Sequence, residues 1–440
     1  MRLTLIQFQY ELSSAPLGAL YLAFGLGKEN IEFDLKIFPL YKYGYDLEKI
    51  YSFLTHSGNI VAIGCWSDLL PYVIVALDEL KKRFPEKIII LGGIGPTEVA
   101  EEIMTAFNFI NFIIKGCGVY LLPKLIKRIQ NDSNRLNDID GLVYRYNKDV
   151  ISNYYKGFYL NIPDLPPHRC LNNSRQYQSF NIFTSFGCPY WCTFCSYRSV
   201  SPKKTIYRDL NEVMEEIKFI ASIKKHKKFI LAIWDEAFVV NKKRVFEFCN
   251  LLLSERLNMS WVCYGRINAM DEELLKVMSK SGCRSVYYGI ESGSNVILRK
   301  IKKGFTIEEA IKILLLSKKY IEEVIASFIF LFPFEKPLDF YHTKILYWYL
   351  RSQGIVTQLH ALSPVKNSEI YFKYKKYLFL SKKIHSTYRP TFNSMPSVCV
   401  KLIRNYPDIF YYYYSYNFEQ LHKILKMAES IWRTRTIKNQ

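Results

Sequence analysis

The sequence predicts an α/β protein in two main parts: an N-terminal doubly wound, Rossmann-like domain over residues 1–135 and a partial (β/α) barrel of the TIM type over residues 176–370. Three observations predict it. Strand-like apolar runs alternate with amphipathic stretches of helical spacing through about the first 130 residues. A proline-rich segment, PDLPPHR at 163–169, then interrupts the pattern, because it can continue neither a helix nor a central strand. From residue 180 the alternation resumes with longer repeats, as in a parallel sheet bending into a barrel. A hairpin and the proline-rich linker fill residues 136–175, and a mainly helical, aromatic and basic extension covers 371–440.

In the first part, LTLIQFQY (3–10), NIVAIGCW (59–66), KIIILGG (87–93) and FIIKGCG (112–118) read as buried strands. LPYVIVALDELKKRF, between the second and third, has apolar positions at helical spacing and a basic end that suits a helix C-terminus. Ligands of such sheets sit beyond the carboxyl ends of the strands. GLVYRYNKDVISN (141–153) reads as a small hairpin. In the second part the strands are NIFTS (181–185), FILAIW (229–234), SWVCYG (260–265), SVYYGI (285–290) and VIASFIFLF (324–332). Helical patterns such as LNEVMEEIKFIASI and DEELLKVMSKSG alternate with them.

Half the chain is apolar (49%) and 23% is charged, which fits folded protein with sizeable cores. Ten cysteines are scattered except for one cluster, and no apolar signal segment opens the sequence, so a reducing cytoplasm is expected and disulfides are not. The longest apolar runs fall short of the roughly 20 residues a membrane helix needs. A net charge of +20 suits polyanions, but the lysines are spread and often paired with Glu, as in LDELKKRF, so solvated faces are expected rather than a nucleic-acid footprint. YYYYSYNF at 411–418 has the rings to stack bases or, equally, to pack a helix or wall a site.

The densest chemistry lies in GCPYWCTFCS (187–196), where Cys188, Cys192 and Cys195 stand beside Gly187 and Pro189. Thiolates so spaced, in a loop broken by glycine and proline, can wrap one soft metal centre. Structural zinc takes four ligands, usually as two separated pairs, and no second pair follows. A [4Fe–4S] cubane held by three cysteines leaves one iron open for another ligand, which is of use to an enzyme. The cluster is the preferred reading and zinc the alternative. The loop directly follows the first strand of the second part, where the chemistry of barrels sits.

This C-x3-C-x2-C loop with Phe194 resembles that of the radical S-adenosylmethionine (SAM) superfamily. PLGALYLA (16–23), ILGGIGPT (90–97), KGCGV (115–119), GLVYR (141–145), LPPHR (165–169), TSFGCPYWCTFC (184–195), WDEAFVVNKKR (234–244), CYGRIN (263–268) and GCRSVYYGIESGS (282–294) resemble, in order, the cobalamin-binding-domain members of that superfamily. The resemblance covers about the first three quarters of the chain. It implies that SAM chelates the open iron and that one electron from the reduced cluster cleaves it to methionine and a 5′-deoxyadenosyl radical, which takes hydrogen from an unactivated carbon. It also implies cobalamin, a reductant such as flavodoxin or ferredoxin, and a small-molecule or peptide substrate.

The same resemblance assigns Phe194, Glu291 and Ser292 to SAM; the other reading of Glu291 is a carboxylate capping a helix that begins at Ser292 or Ser294. Arg266 would pair with SAM's carboxylate, or form an ion pair with Asp235 or Glu236. Asp235 and Glu236, at a strand end, would orient the ligand or satisfy backbone amides. For cobalamin the resemblance implies Trp66, Ser67, Gly92, Gly93 and Thr97, with cobalt free of protein imidazole: His56 lies in Thr-His-Ser-Gly, not in an Asp-x-His-x-x-Gly loop. The family's Gly-Glu-Gly-Glu turn reads here Gly116, Cys117, Gly118, Val119. Its Gly-x-Pro-x-Glu stretch reads FLFPFE, with Pro333 and Glu335 kept and the glycine replaced by Leu331 or Phe332; of its Pro-x-Pro-Gly-Thr segment, Pro364 remains. His168 and His360 read as surface or packed residues, and Cys249 and Cys283 as structural. The functional expectation is a cobalamin-dependent methyltransferase acting on an unactivated carbon. The alternatives are a radical SAM cyclase, oxidase or rearrangement enzyme, and a noncatalytic metal- or cobalamin-binding module.

Overall fold

The computed structural model describes residues 1–11, 14–133, 135–155, 168, 177–195, 204–225, 227–380 and 394–436. The proline-rich linker, apart from His168, lies outside the described residues. The chain divides into two compact units, one of residues 1–181, 215–225 and 390–412, the other of 182–214, 226–389 and 413–440.

The first unit is built on a seven-stranded sheet: β1 (Leu3–Gln9), β2 (Phe33–Pro39), β3 (Ile60–Gly64), β4 (Ile88–Gly92), β5 (Phe112–Ile114), β6 (Leu142–Tyr146) and β7 (Asp149–Ser152), in the order 2-1-3-4-5-6-7. The first five pair in parallel. Their order, 2-1-3-4-5, reverses between β1 and β3, which makes the carboxyl ends of those strands the place for a ligand. Leu3, Leu5, Ile6 and Phe8 of β1 are all buried, the mark of a strand covered on both faces. The helix Leu70–Arg83 ends in Lys81, Lys82 and Arg83, as its sequence predicts. β2 escapes the sequence reading because FDLKIFP, at the sheet edge, is only half-buried and carries Asp34 and Lys36.

Two boundaries differ from expectation. The hairpin at 141–153 is not a connector: β6 pairs antiparallel with β5, through Phe112 and Tyr144, and extends the sheet. Residues 390–412 belong to the first unit, where the helix Ser397–Asn405 packs on Leu70–Arg83 and buries Cys399 and Ile403. Tyr411 and Tyr413 are buried, so these rings of the aromatic run pack rather than await a base.

β8 (Ser179–Ile182) stands at the boundary between the units, and the second unit holds β9 (Ser185–Phe186), β10 (Ile206–Tyr207), β11 (Phe229–Ile233), β12 (Met259–Gly265), β13 (Cys283–Glu291), β14 (Glu323–Phe330) and β15 (Val356–Ala361). Six of these form an open sheet in the order β15-β14-β13-β12-β11-β8, with parallel pairing from β11 to β15. The barrel is therefore partial, as predicted, and β8 and β15 are the outer strands of this sheet. The predicted strand 181–185 breaks in two, because β9 turns away to pair antiparallel with β10. Burial alternates along the strands. Phe229, Leu231 and Ile233 of β11 and Val286, Tyr288 and Ile290 of β13 are buried, and the residues between them are less so. That period of two gives the sheet one closed and one open face. β15 was not anticipated, since VTQLHA interleaves polar residues with its apolar ones.

Candidate active site at the carboxyl ends of the open sheet

The three cysteines lie in the loop after β9, none in a disulfide and all half-buried. Gly187 starts that loop at φ +93°, which other residues rarely adopt. Backbone bonds then fasten the loop. The Cys195 amide donates to the Cys192 carbonyl at 3.2 Å. Thr193 donates to Ile301 (3.2 Å) and accepts from Ile370 (3.0 Å).

Two carboxylates after β11 hold the entrance. Asp235, fully buried, accepts from the Thr184 amide (2.7 Å) and from the hydroxyls of Thr184 and Ser185 (2.6 Å each). Burial pushes its pKa up, while these bonds oppose the shift. Glu236 accepts from the Gly187 amide at 3.0 Å. The oxygens of Asp235 face Thr184 and Ser185 within the fold, the kind of contact that the second of the two expectations describes.

Arg266, just past β12, does not pair with either carboxylate as the simpler reading supposed. Its guanidinium lies over the Tyr190 ring at 3.4 Å, with Nη1 3.9 Å from Cys192 Sγ, Nε 3.1 Å from Asn268 Oδ1, and Nη2 donating to the Lys303 carbonyl. Burial raises the Cys188 pKa, the neighbouring Cys192 adds to that, and Arg266 opposes it.

Glu291 ends β13 at a bulge, with φ +73°. Its carboxylate is buried and accepts from Lys303 Nζ at 3.1 Å, so it is neither exposed nor a helix cap. Gly289 leaves space for this pair, since a Cβ there would strike Glu291 Oε1. Ser292 is also buried, its hydroxyl 3.2 Å from Thr343 Oγ1, where it docks the loop on the helix Pro337–Ser352. Beyond β14, Leu331 takes φ +71°, and its amide donates to Glu335 at 2.7 Å. The next ring, Phe332, meets Phe194 edge-on at 6.1 Å. Left-handed backbone at two non-glycine residues, both at strand ends beside the cysteine loop, is the kind of strain that collects at functional sites.

The donors suit an iron–sulfur cluster: three soft thiols, none in a disulfide, in a turned and anchored loop. Among the described residues no three His, Cys, Asp or Glu side chains converge as a single ion would require. Three thiols that each take a different iron need not converge in that way. Lys303, Tyr190 and Thr184 were missed from sequence, and nothing in their local pattern sets them apart from other lysines, tyrosines and threonines.

In the first unit, Trp66 and Ser67 follow β3, and Gly93 and Thr97 follow β4, all at the carboxyl ends beside the reversal of strand order; Gly92 closes β4 itself. Trp66 is 47% exposed. Gly93, at φ +88°, serves the loops themselves: a Cβ would lie 2.9 Å from the Cys65 carbonyl oxygen. The hydroxyl of Thr97 donates to Gly93 O (2.7 Å) and accepts from Gly116 N (3.1 Å), stitching the β4 and β5 loops. Asp68, not anticipated, is a buried carboxylate that accepts from the hydroxyls of Tyr10 and Tyr45. Burial raises its pKa. His56 ends the helix that precedes β3, with Nδ1 2.8 Å from the Ser52 carbonyl oxygen, and so lies at the opposite, amino end of the sheet.

A sequence profile of the radical SAM superfamily matches residues 182–344. The chain is 28% identical, over 328 residues, to the uncharacterized methyltransferase PH0819 of Pyrococcus horikoshii, covering 73% of this chain and 70% of that one. It is 29% identical, over 249 residues, to the anaerobic magnesium-protoporphyrin IX monomethyl ester cyclase of a Synechocystis species, covering 53% of this chain and 48% of the cyclase. Its fold is similar to that of the radical SAM methyltransferase TsrM from Kitasatospora setae, solved with cobalamin and a [4Fe–4S] cluster, with a TM-score of 0.68 at 15% identity over 90% of this chain and 80% of TsrM.

Proposed function

We propose that this chain, which carries a radical SAM domain over residues 182–344, is a cobalamin-dependent enzyme that methylates an unactivated carbon of a natural product or peptide. The observation that carries the reading is the anchored loop of three thiols, none in a disulfide, at the carboxyl ends of a parallel sheet. When bound, a [4Fe–4S] cluster with SAM on its open iron supplies hydrogen abstraction through reductive SAM cleavage, and cobalamin supplies the methyl group.

Cys188, Cys192 and Cys195 would hold the cluster. Asp235 and Glu236 set the loop's entry, and Arg266 places its guanidinium 3.9 Å from Cys192 Sγ. Phe194, Arg266 and the Glu291–Lys303 pair line the side of the loop where SAM would lie. Trp66, Ser67, Gly93 and Thr97 would meet cobalamin, with His56 at the wrong end of the sheet to reach cobalt. A low-potential protein such as flavodoxin or ferredoxin would deliver the electron. Methyl transfer is supported by the relative named an uncharacterized methyltransferase, which is 28% identical over 73% of this chain. The cyclase relative supports a second reading, radical cyclisation or oxidation without methyl transfer.

Anaerobically reconstituted protein with SAM and dithionite is expected to release 5′-deoxyadenosine, and the Cys192→Ala variant is not. Equal release from both would sink the radical reading. Cobalamin retained after desalting, with S-adenosylhomocysteine formed, selects methyl transfer; retention of none selects the second reading. No helix of the described residues is long and apolar enough to cross a membrane, so the assay is designed in aqueous buffer.

A further inference from the structure

On the open face of the second sheet, Trp234, just past the end of β11, forms a continuous row with Tyr264 of β12 and Tyr287 of β13. Trp234 meets Tyr264 edge-on at 5.9 Å, and Tyr264 meets its register partner Tyr287 at 5.4 Å. Large rings normally bury themselves, yet Trp234 is 43% and Tyr264 37% exposed. A polar edge closes the row: Gln358 Oε1 lies 3.2 Å from both the Tyr287 hydroxyl and His360 Nε2. Strands β11, β12 and β15 contain no Asp, Glu, Lys or Arg, whereas β13 carries Arg284 and, at its end, Glu291.

The row lies close to the cysteine loop. Tyr264 precedes Arg266 by two residues, a rise of roughly 7 Å along a strand, and Arg266 Nη1 is 3.9 Å from Cys192 Sγ.

We infer that this row is a substrate wall that selects a flat aromatic ring system bearing a hydrogen-bonding edge, the rings taking its faces and the Gln358–His360 pair its polar rim. The inference rests on the proposed radical chemistry, which gives the wall its purpose. The exposed ring faces distinguish an aromatic guest from an aliphatic one of equal area, since stacking adds attraction beyond area alone.

The test is binding of 2-naphthol, and of its saturated counterpart decahydro-2-naphthol, to the full chain by isothermal titration. The expected result is 2-naphthol binding about tenfold more tightly than the saturated alcohol. That preference should disappear in Tyr264→Leu and in Tyr287→Leu, each checked for an unchanged circular dichroism spectrum. It should persist in Trp348→Leu, an aromatic change on the helix Pro337–Ser352. Equal binding of the two alcohols by the wild-type chain, or a preference that survives both tyrosine changes, overturns the inference. Displacement of 2-naphthol by SAM, with SAM binding weakened in Tyr264→Leu, also overturns it, because the wall then belongs to the cofactor. Release of 5′-deoxyadenosine by the wild-type chain is read separately: its absence, with the ring preference intact, counts against the chemistry and not against the wall.

Discussion

Glu335 shows how one side chain can hold a site together. One oxygen accepts from the Leu331 amide, and the other is buried with no hydrogen-bond partner among the described residues. Desolvation pushes the carboxyl up to about 8 from its ordinary 4.5, with Asp339 adding to the rise and the Leu331 and Phe332 amides opposing it. Below the lower value the group is protonated in folded and unfolded chain alike. Between the two, only the unfolded chain gives up its proton, so this contribution to stability is lost as pH rises toward 8. Thermal unfolding of the wild type should therefore fall more steeply than that of Glu335→Gln between about pH 5 and pH 8; parallel profiles would mean that the carboxyl is ionised throughout. The Glu291–Lys303 pair gives a second prediction at this scale. Lys303→Met strands a buried carboxylate and should cost about 3–5 kcal/mol in denaturant unfolding. Adding Glu291→Gln should recover most of that loss, and a double variant no better than the single would show that the pair is not what the lysine stabilises.

Elements meet through backbone as well as side chains. Gly93 and Gly95 let the β4 loop lie against Cys65, Trp66 and Ser67 of the β3 loop, at distances no Cβ tolerates. Gly93→Ala must place a Cβ against backbone and keep φ +88°, so it should destabilise by more than about 1 kcal/mol. Gly27, in the helix Leu17–Lys28, has nothing within 4 Å of a would-be Cβ, and Gly27→Ala should stabilise by roughly 0.5–1 kcal/mol. Opposite signs in paired unfolding curves support this account; a loss at both positions does not. Most elements were legible because periodicity reports burial, which is why β1, β3, β4 and β11 to β14 were found. β2 and β15 were not, since each is at a sheet edge and covered on fewer sides.

Across the whole chain, sequence distance is a poor guide to which unit a residue serves. Ile403, some 320 residues after the helix Leu70–Arg83, is fully buried in the unit built on residues 1–181. Ile403→Ala should lower unfolding stability by about 2–4 kcal/mol, and the transition that moves in calorimetry should be that of this unit. Movement of the other transition alone would contradict the assignment. Alternating α/β elements, the open barrel and the cysteine loop were all readable from the chain, since each is written within a few dozen neighbouring residues whose spacing sets the geometry. The clamp of Asp235 on Thr184 joins residues 51 apart, and the Trp234–Tyr264–Tyr287 row joins two strands and the residue that follows a third. Such partners exist only once strands have been laid side by side, because hydrogen bonding and ring contact act over a few ångströms and take no account of how much chain lies between.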